Sequence, residues 1–214
     1  MDLDLSVVDA VLLDMDGTLV DSDAAVERAW TVWANEYGVE PAAAIAIAHG
    51  SPAERTVRRL RPELDAEAIA VSAARQLELQ YDDLSDVTPT PGAHELLAVL
   101  ARLGIPWAVV TSADVRLAKA RLGAAGITAP LLITFEDVTA GKPHPQGYLL
   151  AAEALGVAPG RCLVVEDAEP GLDAGRAAGA MTAALKDLVG DLCLDDLGQL
   201  AHLLAAIVPL PLEA

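Results

Sequence analysis

Short, almost uninterrupted apolar runs alternate along this chain with segments of helical periodicity. The runs fall at 10–14, 107–111, 131–134, 162–167, 181–184 and 192–194. Between them, patterns of helical spacing fall at 92–103, 114–125, 145–155, 170–178 and 196–207. A strand with one wet face alternates polar and apolar residues. A run that is apolar throughout must be covered on both faces, as in a parallel sheet wrapped by helices. The punctuation agrees: Pro170 suits a first helical turn, and Gly104, Gly126, Gly156 and Gly179 fall where helices should stop. The alternation predicts an α/β chain built on a parallel sheet with helices on both faces.

Residues 19–86 break the alternation. They read as successive helices at 23–37, 41–48, 52–60 and 65–82, with no convincing strand. A helical insert directly after the first strand predicts a small all-α cap domain (19–86) on a core made of 1–18 and 87–214. The natural hinges are the linkers near 19–22 and 85–91. The tail after Pro209 reads as loose.

Composition narrows the function classes. Fourteen basic and thirty-two acidic residues give a formal net charge of −18, so no nucleic-acid or anionic-membrane partner is expected. A phosphorylated ligand would need a metal or fixed cations at its site. Aromatics make up only 3%, so the core must be aliphatic. Cys162 and Cys193 stand alone, and the four histidines are scattered; no zinc or disulfide framework follows, and both thiols are expected to be buried and reduced. The N-terminal MDLDLSVVDA lacks the basic and long apolar regions of a signal peptide. The longest apolar stretch, 96–110, is broken by Arg102, Gly104 and Pro106, so it predicts helix, turn and strand rather than a membrane span. A cytoplasmic monomer or weak dimer is expected.

Open parallel sheets bind ligands beyond the carboxyl ends of their strands. Here those ends carry Asp14 and Asp16, then Thr111 and Ser112, then Glu166 and Asp167, with Lys142 in the loop after the third run. A strand-end carboxylate can act as a nucleophile toward phosphorus. Clustered acids supply the hard oxygen donors that Mg²⁺ prefers. Hydroxyls, amides and a lysine can offset phosphoryl charge, and Asp16 could protonate a leaving alkoxide and then deprotonate water. Each part also has a plain structural reading. Paired acids serve as turn or cap residues, Thr-Ser as a helix N-cap, GKP as a turn, and Glu-Asp before Pro-Gly as a solvated helix start. Their occurrence together, in this order and each at a strand end, favours the chemical reading.

The segments Asp14-Met15-Asp16-Gly17-Thr18, Val110-Thr111-Ser112, Gly141-Lys142-Pro143 and Val165-Glu166-Asp167 resemble the four motifs of the haloacid dehalogenase superfamily. The resemblance spans nearly the whole chain. It implies a Rossmann-like core with a helical cap and an aspartyl-phosphate mechanism. Asp14 would be the nucleophile and Asp16 the acid and base, with Thr111 and Lys142 catalytic and Ser112 binding phosphate. Asp14, the Asp16 carbonyl, Glu166 and Asp167 would hold Mg²⁺.

Within the superfamily, dehalogenases lack the second motif-I aspartate, so Asp16 argues against that chemistry. Phosphonatases use a cap lysine, and 19–86 contains none. A β-phosphoglucomutase-like phosphosugar mutase remains the alternative. It needs cations for a distal phosphate, whereas the matching positions here are Ala53 and Asp114, with Arg55 or Arg58 as possible substitutes. The cap segment at 24–38 and the following His49-Gly50-Ser51 resemble small sugar- and polyol-phosphate phosphatases, which makes His49, Gly50 and Arg55 candidate substrate contacts. The plain readings stand beside these: Trp30 and Trp33 as cap packing, His49 as a helix end, and Arg55, Arg58, Arg59 and Arg61 as a solvated face.

Overall fold

A computed structural model describes residues 3–48 and 51–207. The chain enters through β1 (Ala10–Leu13) and β2 (Val20–Asp21), then runs through α1 (Asp23–Tyr37), α2 (Pro41–Ile45), α3 (Ala53–Leu60) and α4 (Ala66–Tyr81). It returns through β3 (Thr88–Pro89) to α5 (Ala93–Leu103), β4 (Trp107–Val110), α6 (Val115–Ala124), β5 (Leu132–Ile133) and α7 (Gln146–Leu155). It ends with β6 (Cys162–Glu166), α8 (Glu169–Ala177), β7 (Met181–Ala184), β8 (Leu192–Cys193) and α9 (Leu197–Ile207).

Six strands form one parallel sheet in the order β5-β4-β1-β6-β7-β8. Side chains alternate across it, as a pleated strand requires. Val11, Leu13, Val109, Leu163 and Val165 enter one apolar cluster with Leu96, Leu100, Leu200 and Leu204 of α5 and α9. Ala10, Leu12, Ala108, Val110 and Val164 enter the opposite cluster with Tyr148, Ala151 and Ala174 of α7 and α8. Strands buried on both faces explain the continuous apolar runs. The strand order reverses between β1 and β6, so the crevice at their carboxyl ends is where such a sheet offers a binding site.

The helices α1–α4 bury an apolar cluster of their own, around Trp30, Trp33, Val57 and Ile69. Trp30 and Trp33 meet edge to face at 5.0 Å, and Trp33 Nε1 donates to the Ser72 carbonyl at 3.0 Å. Both indoles therefore pack within this helical unit, and Trp30 also lines the cavity beside it.

Three expectations are corrected. Residues 19–86 do contain a strand: Val20 and Asp21 pair antiparallel with Pro89 and Thr88. Neither two-residue piece carries an apolar run; the pairing arises because the two linkers leave the sheet side by side. Cys162 is buried, but Cys193 is exposed on the edge strand β8. Arg61 is not simply solvated, since its Nη1 donates to the Tyr37 carbonyl at 2.7 Å and ties α3 to α1. The expectation for the tail after Pro209 lies outside the described residues. Among those described, no helix is long and apolar enough to cross a membrane.

Candidate active site

At the carboxyl end of the central strand β1 the chain turns sharply. Gly17 makes that turn with φ +84°, a left-handed conformation that favours glycine. A Cβ at this position would also fall 2.0 Å from Asp167 Oδ2. The turn thus presents Asp14 and Asp16 next to the end of β6.

Four sequence-predicted residues meet there. Asp14 is 8% exposed and Glu166 1%. Lys142 Nζ pairs with Asp14 Oδ1, donates to Glu166 Oε1 at 2.6 Å and donates to the Val110 carbonyl at 2.9 Å. All three ammonium protons are thereby used. Burial pulls Lys142 down, but Asp14 and Glu166 outweigh it and hold it above the usual lysine range. Burial, then Glu166, push the Asp14 carboxyl well above the usual carboxylate range, against the pull of Lys142. Asp167 is also raised by burial, opposed by Lys186, whose Nζ lies 2.9 Å from its Oδ2.

Asp14, Glu166 and Asp167 each place a carboxylate oxygen within 4.8 Å of the others. This all-oxygen set, crowded enough to raise its own proton affinity, has the donor chemistry of a hard divalent cation site. Thr111 and Ser112 stand beside it on the wall of a cavity of about 540 Å³. The Thr111 hydroxyl accepts from Ala113 N at 3.1 Å. The plain reading of Thr-Ser as a helix cap does not hold: Asp114 caps α6, accepting from Leu117 N at 2.9 Å, and Ser112 lies on the cavity wall.

The cavity lies between the carboxyl ends of the central strands and the helical unit. Arg55 and Arg58 of α3 line it and are exposed. His49 and Gly50 lie outside the described residues.

Several residues at the site were not singled out in the sequence. The Tyr148 hydroxyl donates to Glu166 Oε1 at 2.6 Å. Arg121 Nη1 and Ser22 Oγ each donate to Asp16 Oδ1 at 2.7 Å. Arg121 Nη2 donates to Gln80 Oε1 of α4 at 2.6 Å, and the Tyr81 hydroxyl donates to Asp114 Oδ2 at 2.7 Å. The signal for Arg121 was present, because it stands on the buried stripe Leu117, Ala118, Arg121 and Leu122 of α6. A charge on an apolar stripe needs a buried partner.

Comparison with known proteins agrees with this arrangement. The haloacid dehalogenase-like hydrolase family profile matches residues 8–179. Hexitol phosphatase A of Escherichia coli is 43% identical over 175 residues, covering 81% of each chain. The 2-deoxyglucose-6-phosphate phosphatase 1 of Saccharomyces cerevisiae is 33% identical over 208 residues, covering 89% of this chain and 85% of its own. A β-phosphoglucomutase from Clostridium difficile shares the fold with a TM-score of 0.81 at 21% identity, over 90% of this chain and 93% of that one.

Proposed function

The chain belongs to the haloacid dehalogenase-like hydrolases, and from that premise we propose that it is a Mg²⁺-dependent phosphatase of small sugar or polyol phosphate monoesters. The observation that carries the reading is Asp14 at the reversal point of the sheet, ion-paired to Lys142 and flanked by Glu166 and Asp167 on the floor of the cavity. The 43% identity to hexitol phosphatase A supports the substrate class.

In this reading Asp14 attacks phosphorus, the ester P–O bond breaks, and the leaving oxygen takes a proton from the Asp16 carboxyl. Water then attacks the aspartyl-phosphate, Asp16 takes its proton, and inorganic phosphate departs with Asp14 regenerated. Lys142 holds the nucleophile in place and, with the Thr111 hydroxyl and Ser112 amide, offsets charge on the phosphoryl oxygens. Asp14, Asp167 and the main-chain carbonyl of Asp16 would hold Mg²⁺, with Glu166 completing the set. The ion supplies neutralisation of the acid cluster and polarisation of the phosphate.

The named relatives favour a phosphatase over a mutase, and one part of the cavity agrees, although Arg55 and Arg58 also line it. Beside Ser112 its wall carries the Asp114 carboxylate, and the guanidinium of Arg121 is already paired with Asp16. A second phosphate would meet an anion there. His49, Gly50 and Arg55 are the proposed contacts to the leaving group. The test is a phosphate-release screen over two- to six-carbon sugar and polyol phosphates with Mg²⁺, alongside a mutase assay with a bisphosphate activator. Free phosphate from hexitol or hexose phosphates is expected; isomerised phosphosugar without phosphate release would overturn the reading.

A further inference from the structure

Arg121 joins three parts of the molecule. It rises from core helix α6, is 2% exposed, and divides its guanidinium between two partners. One nitrogen holds Asp16 in the core, and the other holds Gln80 on α4. Gln80 is fixed in turn, donating from Nε2 to Oε1 of the fully buried Gln76 at 2.8 Å. A guanidinium is planar and permanently charged, so anchoring one prong on Gln80 sets the direction of the other. The second donor to Asp16 Oδ1 is Ser22, the residue immediately before α1. Arg121 is thus tied to the helical unit through Gln80, and Ser22 stands where the chain enters that unit. Both act on Oδ1, and among the described residues Oδ2 receives no hydrogen bond.

The chain of bonds carries a cost. Arg121 Nε and Gln76 Nε2 are buried without partners, and they are the two such side-chain atoms among the described residues. Native proteins satisfy most buried donors, so two orphaned donors on one chain of bonds call for an explanation.

Resting on the hydrolase reading above, we propose that Arg121 is a positioning residue for Asp16, aligned through Gln80 by the helical unit. Gln80 orients the guanidinium, the guanidinium holds Oδ1, and Oδ2 is turned toward the departing oxygen. Proton delivery is thereby tied to a seated cap. Tyr81 and Asp114 form a separate contact between α4 and α6 that does not touch Asp16. It supplies the control for a contact that merely docks the cap.

The test compares kcat/KM for sorbitol 6-phosphate, whose alkoxide needs a proton, with that for p-nitrophenyl phosphate, whose phenolate does not. This ratio reports the steps through phosphoryl transfer, so later hydrolysis does not enter it. Arg121→Met is expected to lose roughly tenfold or more on the sugar ester and under about threefold on the aryl ester. Gln80→Ala should show the same selectivity in smaller measure, whereas Tyr81→Phe should lower both esters alike. In an Asp16→Asn background, Arg121→Met should add no further loss. Equal losses on both esters for Arg121→Met or Gln80→Ala, or an Arg121→Met loss that persists without the Asp16 carboxyl, would overturn the proposal. If Arg121→Met does not fold by circular dichroism, Gln80→Ala decides alone by the same criterion. A wild-type protein that hydrolyses neither ester would instead sink the hydrolase reading, and this proposal with it.

Discussion

Tyr148 donates its hydroxyl to Glu166 Oε1 at 2.6 Å inside the core, on the same oxygen that accepts from Lys142. Burial, and then Glu166, hold the phenol well above its ordinary range, so it stays a donor at every physiological pH. Tyr148→Phe keeps the ring and removes one bond to a buried carboxylate. Urea unfolding should show a loss of about 1–3 kcal/mol. A loss below about 0.3 kcal/mol would mean that Glu166 is satisfied without the hydroxyl.

Gly171, in the first turn of α8, faces Glu166 so closely that a Cβ there would lie 1.8 Å from Oε1. The carboxylate is pinned by Tyr148 and Lys142 and cannot retreat freely. Gly171→Ala should therefore displace it, weakening Mg²⁺ binding by roughly tenfold or more in calorimetric titration. Unchanged affinity would remove Glu166 from the proposed metal set.

The two thiols should differ in reactivity. Cys162 is buried and its thiol is pushed up to about 11, mainly by burial, whereas Cys193 is exposed. Near pH 8 iodoacetamide should modify Cys193 alone in the native protein, and both residues in urea. Mass mapping that finds native modification at Cys162 would contradict the described core.

Much of this was legible in the sequence, for a physical reason. Asp14, Thr111, Glu166 and Asp167 each follow an apolar run, and a run covered on both faces has to be a central strand whose end opens on the crevice. The contacts between the helical unit and the sheet were not legible in the same way. Arg121 and Asp16 are separated by 105 positions, and Arg121 and Gln80 by 41. Their pairing depends on how α4 seats against α6, which no local pattern encodes. Tyr148 reads as an ordinary core aromatic until the sheet register brings Glu166 beneath it. The Val20–Asp21 strand escapes because tertiary placement, not propensity, pairs it with Thr88–Pro89.

The acid cluster also dictates a pH response. Asp14 is held well above the usual carboxylate range by burial and by Glu166. Without metal, the folded protein therefore releases the Asp14 proton at a higher pH than the unfolded chain, which loses it near about pH 4. The folded state binds more protons across that window, so stability falls as pH rises through it. Asp14→Asn has no such proton to lose. In chelator, its melting temperature should fall less between about pH 5 and about pH 7 than that of the wild type. Parallel curves would show that Asp14 ionises normally.

The first acid of the β1 turn is assigned a transient bond to phosphorus, and that bond can be trapped. Substrate turnover in Mg²⁺ is stopped with acid, the acyl phosphate is reduced with sodium borotritide, and the peptides are mapped. Tritium should appear as homoserine at position 14, and the label should vanish in Asp14→Asn. Label at Asp16 or another acid, or none during an observed burst of alcohol release, would contradict the mechanism.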